Sequence, residues 1–249
     1  MKKIIILVSI VMSYSFGYID IQPQVIGEKK GLDGEMSITA SYSDGNSEER
    51  SIGTSIKGQY DAKDWLAFVI AAYNYGEANN HKSSEAGLLH FRYIHTILDV
   101  KNYDWEIFMQ SEFNPFQKLK DRSLLGVGLR KRFTNYFDKF YMGLGLMYTY
   151  REPDVITEYD KVLRRTKINS YISLKKTFSE NLSIAYLGYY QPTVDNLSDF
   201  SSNQILQFIT PLAESVNLSL NLIYKYNETP YSNIEKDDFN AKLSLTYEF

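Results

Sequence analysis

The sequence lacks cysteine altogether and contains only 6 prolines and 3 histidines among its 249 residues. Without cysteine, neither a disulfide-stapled domain nor a cysteine-ligated zinc site can form. Beyond the amino terminus, no apolar run approaches the roughly 18 residues that a transmembrane helix needs, and the mean hydropathy is slightly negative. A polytopic helical membrane protein is therefore excluded. The net charge of −3 is too balanced for a protein that binds nucleic acid by neutralising phosphates.

Aromatic residues are abundant, with 21 Tyr, 14 Phe and 2 Trp. Hydrophobic residues make up 44% of the chain and charged residues 23%. This balance is typical of a folded chain, in water or in a membrane, and not of a disordered one.

The first 17 residues have the pattern of a signal peptide. Lys2 and Lys3 precede an apolar run over residues 4–12, and Ser15 and Gly17 form the small-x-small pattern of a cleavage site. The mature chain would begin at Tyr18. No cysteine follows the run, so a lipid anchor is not expected.

From residue 34 onward, apolar residues alternate with small or polar ones, as in strands that have one apolar and one polar face. Most of these segments are about ten residues long, which is the length of a tilted strand that crosses a bilayer. The alternation predicts twelve strands, at residues 34–43, 50–60, 65–76, 85–97, 105–114, 122–133, 139–151, 166–178, 182–191, 200–210, 215–227 and 238–249.

Short connections alternate with longer polar ones, which is the asymmetry of periplasmic turns and outer loops in outer-membrane barrels. We therefore predict an all-β fold, a single twelve-stranded antiparallel transmembrane β-barrel over residues 34–249. Ten or fourteen strands remain as fallbacks, because Ile205 and Ile209 disagree in phase with Leu206 and Phe208. A soluble β-sandwich is the alternative. It is disfavoured by a polar face rich in Ser, Asn, Thr, Gln and Gly and by aromatics at the strand ends, such as Trp65.

Several short pieces of the chain resemble the salt-induced outer-membrane proteins of the YdiY-like family, an uncharacterised group. The pieces are Gly45-Asn46, Arg122 with Gly-Val-Gly-Leu-Arg at 126–130, Tyr-Asn-Glu-Thr-Pro at 226–230, Asp238, and Leu-Thr-Tyr-Glu-Phe at 245–249. The resemblance implies a barrel in the bacterial outer membrane. It implies no catalytic residues.

The histidines give little sign of chemistry. His81 falls in an outer loop and His95 on the lipid side, so only His90 is expected to point inward. No serine and asparagine cluster accompanies it, as an outer-membrane phospholipase would need, and no histidine pair has zinc-ligand spacing. We expect a hydrogen-bonded lumen histidine, with no catalytic, cofactor or metal residues.

The alternation predicts twelve inward-facing charges. They could form buried ion pairs that satisfy a polar interior, or a mildly positive pore that favours anions. The predicted charges are Lys57, Arg92, Arg130, Arg132, Arg151, Lys175, Lys225, Lys242, Glu35, Glu106, Glu112 and Glu248.

An apolar patch is also predicted to face inward, formed by Phe68, Ile70, Ile94 and Phe108. Apolar surface facing only water is unfavourable. Residues 18–33, which carry alternating apolar residues (Ile19, Ile21, Val25 and Ile26), are therefore expected to form a periplasmic segment that plugs the lumen. Large side chains across the lumen or a hydrophobic ligand are the alternatives.

Three further features are interpreted structurally or as contacts with the envelope. Glycines at 126, 128, 143 and 145 would let the sheet bend or admit bulky neighbours. Tyr247 and Phe249 form a carboxyl end of the kind that the barrel-assembly machinery accepts. Acidic loop residues would be solvated, or would bridge to lipopolysaccharide phosphates through Ca²⁺ or Mg²⁺; these are Glu48, Glu49, Asp154, Glu158, Asp160, Glu235, Asp237 and Asp238.

The expected function is that of a non-enzymatic outer-membrane protein, either a narrow passive channel for small solutes or an envelope protein that responds to osmotic stress. A lipid-modifying outer-membrane enzyme and a surface adhesion or binding protein that acts through its loops are the alternatives.

Overall fold

A computed structural model of the protein describes residues 22–43, 49–78, 80–98, 100–134 and 136–249. The predicted signal peptide, Ile19, Ile21 and Glu48 lie outside these residues. The described chain forms twelve β-strands and one short 3₁₀ helix, Pro115–Gln117. The strands are β1 Gly31–Ser43, β2 Glu49–Asp61, β3 Trp65–Ala78, β4 His81–Thr96, β5 Tyr103–Asn114, β6 Leu119–Arg132, β7 Lys139–Pro153, β8 Leu163–Ser179, β9 Leu182–Pro192, β10 Phe200–Ala213, β11 Val216–Asn227 and β12 Asp237–Glu248.

The strands close into a single antiparallel barrel in which each strand pairs with its neighbours in sequence. Closure is made by β1 and β12, with Ala40 opposite Leu243 and Glu35 opposite Glu248. The Gly34 N–H donates to the Phe249 carbonyl oxygen at 2.9 Å, so pairing continues to the last residue. The all-β, twelve-stranded prediction is confirmed.

The two faces of the barrel differ in polarity in the way that transmembrane barrels require. On β1, Ser37 and Thr39 face inward and are each only 3% exposed, whereas Ile38 between them is 51% exposed. Leu245 on β12 lies opposite Ile38 and is also exposed on the outer surface. An apolar exterior around a polar interior is the reverse of a soluble sandwich, so the sandwich alternative is wrong. In the described residues, no helix is long and apolar enough to cross a membrane.

Aromatic rings gather on the outer surface at the end that carries the short turns. Trp65 stacks on Tyr60 at 5.3 Å and on Tyr93 at 5.7 Å between ring centroids. Trp105 stacks on His95 at 5.6 Å, which places His95 on the lipid side. Rings at this height match the aromatic belt of a membrane interface.

Strand β10 explains why the alternation is ambiguous around residue 205. Ile205 and Ile209 face the lumen and pack with Ala185 and Leu187 of β9. Because this part of the lumen wall is apolar, both faces of β10 are apolar and the period-two pattern is weakened. The strand runs to Ala213, beyond the expected end at 210, and the count stays at twelve.

Glycines on β6 and β7 make room for two large inward side chains. A Cβ at Gly126 would lie 2.3 Å from the Phe108 ring, and one at Gly143 would lie 2.1 Å from the Tyr171 ring. A Cβ at Gly145 would meet the backbone oxygen of the neighbouring strand at 2.2 Å. These positions therefore hold glycine because rings and backbone occupy the space of a side chain.

Candidate solute site in the barrel lumen

A cavity inside the barrel encloses about 2270 Å³, counting the part that is open to solvent. Gln22 and Gln24 line it at the end with the short turns. Tyr231 and Ile234, in the loop between β11 and β12, line it at the opposite end. We call these ends the short-turn end and the outer end, after the sidedness that the loop lengths predict.

The predicted inward charges occupy the lumen at several heights. Six of them line the cavity: Lys57, Arg92, Glu112, Arg130, Arg151 and Lys225. The remaining six lie in the wall or near the short-turn end. Glu35 pairs with Lys57, and the side chains of Glu106 and Lys242 are buried, at 1% and 7% exposure. Lys175 donates a hydrogen bond to Gln22, and Glu248 accepts one from Asn217. Arg132 lies opposite Tyr141 on the neighbouring strand.

Some lumen charges form ion pairs between neighbouring strands. Lys57 Nζ lies 2.9 Å from Glu35 Oε1, and both side chains are nearly buried. Arg130 Nε lies 2.8 Å from Asp104 Oδ2. Pairing of this kind stabilises charges that are removed from bulk water, and it is one of the two interpretations that the sequence left open.

A network that we call the waist crosses the lumen; its members are Arg92, Glu106, Tyr171 and Tyr189. Arg92 on β4 donates through Nη2 to the Tyr189 hydroxyl on β9 at 3.0 Å. Its Nη1 also lies 3.7 Å from Glu106 Oε2, and Glu106 accepts from the Tyr171 hydroxyl at 3.0 Å. The waist thus joins strands on different sides of the barrel and narrows the lumen. The sequence reasoning missed both tyrosines, although Tyr171 shares its phase with Lys175.

Below the waist lies the described part of the amino-terminal segment, residues 22–30. Ile26 packs against a buried apolar cluster on the inner wall. The backbone N–H groups of Gly27 and Lys29 donate to the Asp61 carboxylate at 2.7 and 2.9 Å, and Arg130 donates to the Gln24 carbonyl oxygen at 2.9 Å.

The predicted apolar patch lies largely in this cluster, which consists of Leu66, Phe68, Ile70 and Ile94. Leu66 was missed. Phe108 is 3% exposed and lies against the Arg92 guanidinium, whose carbon is 5.4 Å from the ring centroid. That the amino-terminal segment blocks solute passage stays a prediction.

A loop folds over the outer mouth of the barrel; we call residues 228–236 the outer lid. The Ser232 backbone N–H and hydroxyl both donate to Asp160, at 2.7 and 2.6 Å, and these bonds hold the pKa of the Asp160 carboxyl below its ordinary value. Tyr231 is 4% exposed and lies 4.9 Å from the Arg151 guanidinium carbon. Asp160 therefore anchors the lid and is not a solvated loop acid.

The space between the waist and the outer lid, which we call the outer chamber, is lined by cations. Arg122 and Arg151 lie directly opposite each other on β6 and β7. Lys167 on β8 is 6% exposed and donates to the Ser201 hydroxyl at 3.1 Å. Lys167 was missed by sequence reasoning, although it shares the inward phase of Lys175. Arg165 was assigned to a loop.

His90 lines the same cavity, as its phase predicts. Its Nδ1 lies 3.2 Å from Gln110 Oε1, and its ring lies 5.8 Å from the Phe68 ring. Within the described part of the chain, no group of three His, Cys, Asp or Glu side chains is arranged to hold a metal ion.

The comparisons with known proteins agree with this architecture. Residues 36–249 match the model of the family described as a protein of unknown function, DUF481, and the chain belongs to that family. The comparison with curated proteins found no match.

Among solved structures, the chain is similar to the COG4313 outer membrane channel from Pseudomonas putida F1, with 9% identity over 92% of this chain and 97% of that one, and a TM-score of 0.51. It is also similar to the KdgM porin, with 10% identity over 88% and 99% of the two chains and a TM-score of 0.46. The translocator domain of the autotransporter NalP from Neisseria meningitidis matches with 9% identity over 90% of both chains and a TM-score of 0.44. At such identities these likenesses show the fold alone, which is that of outer-membrane β-barrels.

Proposed function

We propose that the protein is a narrow channel of the bacterial outer membrane that admits small solutes and favours anions. The observation that carries the proposal is the cavity itself, which extends from the amino-terminal segment to the outer lid inside a closed barrel with an apolar exterior. Its lining mixes apolar residues with many polar and charged ones, and cations predominate in its outer chamber. A lumen of this kind suits water and small charged solutes.

The waist sets the size of solute that could pass. The contact between Arg92 and Tyr189 spans the lumen with hydrogen-bonded side chains and no backbone, so rotation of these side chains would widen the path without breaking the barrel. The proposal is therefore a channel with small or intermittent conductance, and not a wide pore.

Planar-bilayer recording of the purified, folded protein tests this proposal. Under a potassium chloride gradient, we expect discrete current steps and a reversal potential that is shifted toward the equilibrium potential of chloride. Tyr189→Phe, which removes the hydroxyl that accepts from Arg92, should increase the conductance or the open probability. Phe133→Leu, a change on the outward-facing phase, serves as the matched control. A bilayer that stays sealed after repeated insertion, or a channel that selects cations, would contradict the proposal.

The expected osmotic-stress role stays a prediction, as do the lipid-modifying and adhesive alternatives. Fractionation of cells grown at low and high salt would measure both the location of the protein and its abundance. The proposed location requires the protein to be in the outer-membrane fraction under both conditions.

A further inference from the structure

Two cations in the outer chamber have no acidic partner within the part of the chain that the structure describes. Arg122 pairs with Glu112 at 2.8 Å, and Arg165 pairs with Asp199. Lys167, by contrast, donates to the Ser201 hydroxyl. Arg151 donates to the Thr229 carbonyl oxygen at 3.3 Å and lies against the Tyr231 ring.

Neighbouring cations add to the excess of positive charge around these two residues. Lys167 lies near Arg122, Arg151 and Arg165, which all carry a positive charge. Arg151 is likewise close to Arg122 and Arg165, although Glu112 offsets part of their effect. Buried cations near other cations are unfavourable unless a negative charge is added. A bound anion would therefore offset the repulsion among these cations.

The outer lid supplies a neutral donor at the same place. Tyr231 lines the cavity and is 4% exposed. Its hydroxyl is buried and has no hydrogen-bond partner among the described residues. A buried hydroxyl without a partner is unusual in a folded protein and often indicates a missing ligand or water.

We propose that the outer chamber contains a binding site for the oxyanion groups of a small solute, phosphate or carboxylate, formed by Arg151, Lys167 and Tyr231. Arginine offers a planar fork that matches either oxyanion, and lysine adds a compact charge. The site rests on the proposed channel function, for which it would be the step that attracts anionic solutes from the outer side.

Binding can be measured without conduction, by the thermal unfolding of the full mature chain in detergent. Unfolding is followed by the loss of heat-modifiable gel migration. The probes are sodium phosphate and sodium citrate, each against sodium chloride at constant ionic strength, so that the two oxyanion classes are compared. A ligand that binds only the folded barrel raises the unfolding midpoint as its concentration rises.

We expect at least one of the two probes to raise the midpoint in a saturable way. Lys167→Gln and Arg151→Gln should each weaken this effect by about tenfold in apparent affinity, the loss expected for one charge-assisted hydrogen bond. Lys175→Gln, which removes the same charge from the same strand nearer the short-turn end, is the matched control and should retain the affinity.

A midpoint that responds to neither probe overturns the site, as does an equal loss of affinity in all three variants. Conductance recorded in potassium chloride, without either probe, tests the proposed channel function separately. A chain that binds phosphate or citrate but does not conduct keeps the site and refutes the channel, whereas one that conducts but responds to neither probe does the reverse.

Discussion

The ion pair at the waist offers a quantitative test of how the lumen is held together. Arg92→Met removes the guanidinium and keeps most of the apolar stem. Glu106, which is 1% exposed, would then retain the Tyr171 hydroxyl at 3.0 Å as a donor. Breaking a buried pair from one side costs about 3–5 kcal/mol because the other charge stays buried. We expect the lower end, about 3 kcal/mol, because one donor to the carboxylate remains.

A second substitution separates the effect of the uncompensated Glu106 carboxylate from the effect of lost packing. Glu106→Gln in the Arg92→Met chain removes the uncompensated carboxylate, and the double variant should recover about 2 kcal/mol of the loss. Lys82→Met serves as the control, because Lys82 pairs with Glu85 on the exposed surface. Its cost should stay below about 1 kcal/mol.

Equilibrium unfolding in urea, with the barrel in lipid vesicles, measures these free energies through the fluorescence of the two tryptophans, Trp65 and Trp105. If Arg92→Met costs less than about 1 kcal/mol, Arg92 and Glu106 do not form a buried ion pair. If Glu106→Gln adds to the loss and does not relieve it, the two side chains are not coupled.

Three other perturbations probe the wall, the lid and the amino-terminal segment. Gly145→Ala places a Cβ 2.2 Å from a backbone oxygen and should cost about 3 kcal/mol in the same unfolding assay; Gly58→Ala, with nothing within 4 Å, should be nearly neutral. Because donation from Ser232 lowers the pKa of Asp160, the docked lid is stabilised above the ordinary carboxyl pKa and loses this stability as the pH falls through the lowered value. Conductance should therefore rise at acid pH, and Asp160→Asn should remove that dependence; an unchanged pH profile would contradict the role of the lid. Deleting residues 18–30 should raise conductance and lower the unfolding midpoint, and no change in either would count against a plug.

Much of the barrel could be predicted because its pattern is local. The alternation of Ser37, Ile38 and Thr39 already separates a lumen-facing side from a lipid-facing side, since successive side chains in a strand point to opposite sides. The same phase predicts an inward Arg92 and Arg151, and the glycines of β6 and β7 indicate positions where neighbouring groups need space. The period-two pattern was ambiguous around Ile205 because the lumen wall is apolar there. Both faces of the strand are therefore apolar, and the residues do not alternate in polarity.

The contacts across the lumen were decided only by the closed tertiary structure. Arg92 and Tyr189 are 97 positions apart, and Asp160 and Ser232 are 72 apart. The phase of a strand shows which side chains point inward, but it does not show which of them meet, because that depends on how far the closed sheet tilts and staggers each strand. The sequence by itself therefore determined the barrel and its two faces. The waist, the lid and the cluster of cations in the outer chamber exist only because closure brings distant strands and loops together.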